Sequence, residues 1–276
     1  MTKETFLAKL QEKLTSFERA ISTNESEWIV KGFVDIYKKV YTISMDTKII
    51  SKVLELLLFP SLQDFAKENG LDLELSPQQN FYPDVTFIER TGGTMFALDI
   101  KTTYRTDPRK VNGMTLGAFT GYFRNRESTK NIAYPYSKYA GHFVLGVIYS
   151  QSEEIIDERK TYTVDDLATI PSVIHDFTFF AQPKYKIATA RPGSGNTKNI
   201  GSIADISALL NGRGPFSELG EEIFDDYWTY YLTNDMAKAL EVERPYTNLK
   251  DYFEYKKKGL DVLERNKDKF GMEERE

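Results

Sequence analysis

Pro83-Asp84-Val85-Thr86-Phe87-Ile88-Glu89-Arg90-Thr91-Gly92-Gly93-Thr94-Met95-Phe96-Ala97-Leu98-Asp99-Ile100-Lys101 holds two apolar runs either side of a glycine pair. Asp84 to Ile88 and Met95 to Lys101 read as short strands, and adjacent glycines between such runs favour a tight hairpin turn. With Gly92 and Gly93 as a two-residue loop, Thr91 pairs with Thr94, Asp84 falls opposite Lys101, and Asp99 lies diagonal to Asp84. Strand periodicity then sets Asp84, Asp99 and Lys101 on one face. Two close carboxylates repel unless a cation bridges them, and oxygen ligands with open positions suit Mg²⁺, which keeps several waters. Lys101 adds a charge that can orient a water and offset negative charge growing on a phosphate, as metal-assisted phosphodiester hydrolysis requires. The plainer reading is a proline turn beside a surface ion pair. Against it, Pro83-Asp84 is the only Pro-Asp in the chain, and Asp99 interrupts an apolar strand where an unpaired carboxylate is costly.

Outward from this hairpin, helix and strand signals alternate. Phe6, Leu7, Leu10, Leu14 and Phe17 recur at helical spacing and predict an amphipathic first helix over Lys3 to Phe17, able to support a partner subunit. A second helix opens at Asp46 or Thr47 and runs through Ile49, Ile50, Val53, Leu54, Leu57 and Leu58; Pro60 kinks or restarts it, and Gly70 stops it. Glu55 sits inside that apolar run, as either a solvent-facing position or an acid turned toward a site. Phe143 to Tyr149 predicts a nearly all-apolar strand suited to a sheet centre. Thr178 to Ala190 predicts a strand pair or bent strand, ending at the polar loop Gly193-Ser194-Gly195-Asn196-Thr197-Lys198-Asn199. Its glycines permit close backbone approach and its short side chains can read base edges, although the same composition also describes a plain flexible loop. These elements predict an α/β fold with a mixed central sheet flanked by helices. Residues 1–276 read as one domain, with dimerisation elements roughly over 1–60, a core roughly over 46–250 and a helical tail from Thr247 ending in a charged run over 264–276.

Composition excludes whole classes of chemistry. The chain has no cysteine, which removes disulfides, thiolate metal sites and cysteine nucleophiles, and its two histidines, His142 and His175, lie far apart. No stretch reaches the roughly eighteen apolar residues of a membrane span, so a soluble, cytoplasmic protein with no membrane partner is expected. The net charge of −5 is unevenly spread. Lys101 to Lys138 carries eight basic residues against two acids, and Pro183 to Ser202 carries Lys184, Lys186, Arg191 and Lys198 with no acid. Such patterning fits either the footprint of a polyanion or ordinary solvated surface.

Taken in order, these residues resemble the PD-(D/E)xK nuclease superfamily, and within it the type II restriction endonucleases. The resemblance runs through Asp46-Thr47-Lys48 with Glu55, Gln78-Gln79-Asn80 with Tyr82-Pro83-Asp84, Leu98-Asp99-Ile100-Lys101-Thr102-Thr103-Tyr104, Thr115-Leu116-Gly117, Thr129-Lys130-Asn131-Ile132 and Gly193 to Ser202. It implies a homodimer gripping palindromic double-stranded DNA, each subunit cutting one strand. Asp84 and Asp99 look like Mg²⁺ ligands, Lys101 like the catalytic lysine, and Glu55 like an acid near a second metal position. Gln78, Gln79 and Asn80 look like a minor-groove loop, and Gly193, Ser194, Gly195, Asn196, Thr197, Lys198 and Asn199 like a major-groove recognition loop. Thr115, Thr120 and Lys130 look like backbone contacts, and Lys48 and Tyr104 join the DNA-binding set. The implied site is GATATC, cut to blunt ends, with a companion methyltransferase in the same system that does not bind this chain. Lys198 stands where the pattern has a threonine, and Phe81 where it has a histidine. A structure-specific repair or junction nuclease and a non-catalytic DNA-binding protein are the rival readings.

Overall fold

The computed structural model describes residues 1–78, 80–153, 157, 159–193 and 197–259. Its centre is a mixed sheet in the order Ile174–Pro183, Tyr139–Gln151, Met95–Asp107, Val85–Glu89, Leu71–Leu75, with Lys110–Val111 folding back on the far end of Met95–Asp107. Met95–Asp107 and Tyr139–Gln151 run parallel, and the remaining pairs are antiparallel. The parallel pair explains the expected all-apolar run. Residues 141–149 are buried on both faces, as a central strand requires, and the strand extends beyond the Phe143 to Tyr149 of the sequence reading.

Each face of the sheet carries its own core. On one side, helices Lys3–Glu12, Leu14–Ile21 and Thr47–Glu68 bury Phe6, Leu10, Phe17, Leu54 and Leu58 against Phe87, Phe96, Leu98 and Leu145. The Phe6 ring stacks on Phe96 at a centroid distance of 4.4 Å. On the other, helices Glu221–Tyr230 and Leu249–Lys257 bring Phe224, Tyr227, Trp228, Tyr252 and Tyr255 into a cluster with Ala97, Val144, Ile148 and Phe180. The mixed sheet flanked by helices expected from the sequence is therefore present.

Two helix readings change in detail. The expected first helix is two, Lys3–Glu12 and Leu14–Ile21, joined at Lys13. The long helix does not restart at Pro60: Thr47–Glu68 is continuous, capped by Asp46, whose Oδ1 accepts from Lys48 N at 2.8 Å and Ile49 N at 3.2 Å. Pro60 lies on the exposed side, as does Leu56 one turn earlier, so water can take the carbonyl that proline leaves unpaired. The opposite stripe, Ile50, Leu54, Leu58, Leu62 and Phe65, holds the helix to the sheet. Of the predicted tail, Leu249–Lys257 is helical, and residues 264–276 lie outside the described residues.

Candidate active site

The hairpin that carries Asp84, Asp99 and Lys101 has a longer loop than its glycine pair predicts. Val85 pairs with Leu98, Phe87 with Phe96 and Ile88 with Met95. Glu89 N donates to Thr94 O at 2.9 Å and Gly93 N to Glu89 O at 2.8 Å, so the connection is Arg90 to Gly93, with Gly93 at φ +69°. This register sets Asp84 level with Asp99, not opposite Lys101. A slip of two residues leaves every side chain on its original face, so the expected grouping survives the wrong loop length.

Asp99 is buried, and its Oδ2 lies 2.7 Å from Lys101 Nζ. The same ammonium is 4.0 Å from Asp84 Oδ2, which accepts a 2.7 Å hydrogen bond from Ile100 N. Burial pushes the Asp84 carboxyl up to about 7; the Asp99 charge adds to this, while Lys101 and the Ile100 N–H oppose it. Burial works against the Lys101 ammonium too, but the charges of Asp99 and Asp84 outweigh it and hold its pKa above the ordinary value. Only once Asp84 ionises do the two carboxylates carry more charge than one lysine neutralises. A divalent cation could take the place of the proton on Asp84, and the all-oxygen donors suit a hard ion. Asp84 stays about a quarter exposed, leaving a path for ligands.

Glu55 looks toward this site without joining it. Its charge contributes to raising Asp84, yet its carboxylate pairs with Lys52 at 2.7 Å. Among the described residues no three acidic or imidazole side chains stand close enough to hold one ion, leaving Asp84 and Asp99 as the candidate ligand pair. The Thr47–Glu68 helix is tied to the strand Met95–Asp107 by Ser51 Oγ and Thr102 Oγ1, 2.5 Å apart. Lys48 lies exposed in its first turn. Tyr104 is on the face of its strand opposite Lys101, half-buried, its ring 6.4 Å from that of Tyr149.

The remaining sequence-predicted contacts fall in two groups. Gln78 and Asn80 are exposed in the connection between Leu71–Leu75 and Val85–Glu89; Gln79 lies outside the described residues. The second group is assembled by a three-stranded sheet, Ala188–Pro192, Asn199–Ser202 and Thr115–Ala118. Gly193 N donates to Asn199 O at 2.9 Å, Phe119 N donates to Lys198 O at 3.0 Å, and Gly201 pairs with Thr115. A side chain at Gly193 would stand 3.0 Å from Thr115 Cγ2. Segments some eighty residues apart, that of Thr115 and that of Gly193, Lys198 and Asn199, thus share one surface, with Thr120 just beyond it and Lys130 exposed on a separate turn. Ser194, Gly195 and Asn196 lie outside the described residues, and Thr197 is half-buried.

The basic run is less of a surface footprint than its sequence suggests. Arg105 donates to the Asp176 carbonyl and to Thr178 Oγ1, Arg124 donates to Tyr231 O at 2.7 Å, and Arg126 pairs with Asp225 at 3.0 Å. Lys184, one of the four cations between Pro183 and Ser202, is buried. Nothing in Pro183-Lys184-Tyr185 marked it as a core residue.

A mixed sheet whose central hairpin presents an acidic pair and a lysine is the arrangement of a PD-(D/E)xK nuclease. The chain belongs to the EcoRV restriction endonuclease family: the family model "Restriction endonuclease EcoRV" matches residues 24–257. The type II restriction enzyme EcoRV of Escherichia coli is 34% identical over 235 residues, 84% of this chain and 93% of that protein. A solved structure, the NlaIV restriction endonuclease, aligns over 83% of this chain and 87% of its own at 11% identity and a TM-score of 0.35, a likeness too slight to locate any residue. Family membership makes this chain a type II restriction endonuclease, an enzyme that acts on DNA.

Proposed function

We propose that this enzyme cuts both strands of double-stranded DNA in a Mg²⁺-dependent reaction at the palindrome GATATC, leaving blunt ends, and that it works in the cytoplasm as a homodimer of single-domain subunits. The observation that carries the reading is the cluster of Asp84, Asp99 and Lys101, with Lys101 Nζ within 4.0 Å of both carboxylates. Asp84 and Asp99 would hold the ion, with Glu55 at the margin. When bound, Mg²⁺ supplies a Lewis acid that eases charge on the scissile phosphate and acidifies a water. Lys101 orients the attacking water in line with the departing 3′ oxygen and offsets charge building on the phosphate. Gln78, Gln79 and Asn80 face the minor groove, and Gly193 to Asn199 the major groove. Lys48, Tyr104, Thr115, Thr120 and Lys130 position the duplex backbone. Lys198 and Phe81 are the positions at which the target would depart from GATATC.

The homodimer is supported by exposed apolar side chains on the sheet of Gly32–Val34, Lys39–Thr42 and Thr161–Thr163 and the turn within it: Phe33, Val34, Tyr41 and, above all, Ile36 at 89% and Tyr37 at 77% exposure. Large apolar side chains exposed to this degree and gathered in one small sheet are the kind of surface that a partner ordinarily covers. It lies within the residues expected to dimerise. No described helix is long and apolar enough to cross a membrane.

Asp99→Ala tests the mechanism. Cutting is expected to vanish while binding to the cognate duplex, followed by gel shift in Ca²⁺, persists. Cleavage that survives in this variant contradicts the assigned roles, and a wild-type protein that binds without cutting supports a non-catalytic binder.

A further inference from the structure

Lys184 is the one lysine among the described residues whose Nζ is buried with no hydrogen-bond partner. The residue is 2% exposed and its ammonium looks onto three rings, Tyr82 at 5.0 Å, Phe123 at 5.6 Å and Tyr136 at 6.0 Å from their centroids. An ammonium enclosed in this way recovers part of its lost hydration from the ring faces, but a methionine would fill the space at less cost. Burial lowers its pKa to about 8, so the side chain still carries its charge at neutral pH.

Its position gives the charge something to act on. Lys184 follows Pro183, which pairs with Phe143; Phe143 in turn pairs with Leu98, the neighbour of Asp99. The Asp99 carboxylate is the largest attraction that Lys184 feels, ahead of Asp225, with Lys101 and Arg126 opposing. Close to the same ammonium is Gly117, in the strand Thr115–Ala118. A Cβ on Gly117 would stand 3.4 Å from Lys184 Nζ and 3.3 Å from the Tyr122 hydroxyl. Tyr122 stacks on Tyr82 at 5.3 Å, and Tyr82, hydrogen-bonded to His142 Nδ1 at 2.9 Å, leads directly into Pro83 and Asp84. The buried ammonium and its aromatic cage thus bridge two surfaces that the duplex and the reaction would use.

We propose that Lys184 is a positioning residue for cleavage, coupling the strand Thr115–Ala118 to the carboxylates Asp84 and Asp99 through its buried charge and the Tyr82–Tyr122 stack. The role rests on the cleavage reading above. Lys184 touches neither DNA nor the reacting atoms; it holds the carboxylate pair in the arrangement that a seated duplex requires. A lysine merely stranded in the core would do none of this, and its replacement by an apolar side chain of similar length would leave the reaction alone.

Lys184→Met separates the two. In the full-length protein, thermal melting, affinity for a GATATC duplex without divalent ions, and the single-turnover rate at saturating Mg²⁺ are each compared with wild type. Expected are a melting temperature at or above wild type, affinity within about twofold, and a rate at least about tenfold lower. Lys184→Gln, polar but uncharged, is expected to show the same division. A rate within about twofold of wild type in either folded variant overturns the inference while leaving the cleavage reading intact. So do affinity and rate falling together, or both variants failing to fold, since each marks a purely structural lysine. Wild-type protein that does not cut defeats the underlying reading instead.

Discussion

The Asp84 carboxyl, held up to about 7 chiefly by burial, keeps a proton in the folded protein across a range in which the unfolded chain has released it. The folded state then binds more protons than the unfolded state between about pH 4 and 7, so this group's contribution to stability falls as pH rises through that window and stays lost above it. Asp84→Asn removes the ionisation. Thermal melts are expected to show the variant more stable than wild type at about pH 8, with the gap closing toward about pH 4, and cleavage is expected to be lost at both. A variant less stable than wild type at the higher pH would mean that Asp84 is not strained by its surroundings. Single-residue chemistry was unevenly legible. Asp84, Asp99 and Lys101 could be grouped because a carboxylate in an apolar strand stands out against Phe96-Ala97-Leu98 and Ile100. Lys184 could not, because a lysine buried among rings leaves the same letter in the sequence as one in water. Arg105, Arg124 and Arg126 read as surface charge for the same reason, their acceptors lying on distant segments.

Secondary structure follows the same division between local and distant causes. The hydrophobic period found the long helix, the glycine pair found the hairpin, and the apolar run found the central strand. Missed were quantities set by contacts between elements. The loop Arg90 to Gly93 takes four residues instead of two because Glu89 pairs with Thr94 and Gly93 turns left-handed at φ +69°. Pro60 passes through a continuous helix because it falls on the exposed side of a stripe that Leu54, Leu58 and Leu62 already anchor. Gly93→Ala puts a Cβ into the left-handed conformation with nothing within 4 Å to clash, so only the backbone cost remains. Chemical denaturation is expected to show a loss of roughly 1 kcal/mol with cleavage unchanged. A much larger loss, or a changed cleavage rate, would mean that the loop helps to set the register of Asp84 against Asp99. No period in the sequence could have joined Thr115 to Asn199 either; their common surface follows from strand pairing over some eighty intervening residues.

In the whole molecule, one sheet serves two layers. The helices on one face bring Glu55 and the Ser51–Thr102 tie toward the strand of Asp99 and Lys101, while the cluster on the other face packs behind Asp99 and supports the surface of Thr115 and Asn199. Both layers remain within one subunit, and the proposed two-strand cut needs a second. Ile36→Asp with Tyr37→Asp places charge on the most exposed apolar residues of the small sheet, far in sequence from the carboxylates. Sedimentation is expected to show the proposed dimer in the wild type and monomer in the double variant, and cleavage of supercoiled DNA to slow. A double variant that stays dimeric would move the interface elsewhere. The central claim, a metal-dependent double-strand cut at one sequence, is tested most directly by incubating the purified wild-type protein with plasmid and Mg²⁺ and sequencing every end produced. The expected result is discrete fragments whose ends are blunt and fall at the middle of GATATC, with none formed in EDTA. Ends scattered over unrelated sequences, or fragments formed equally well without a divalent cation, would contradict it.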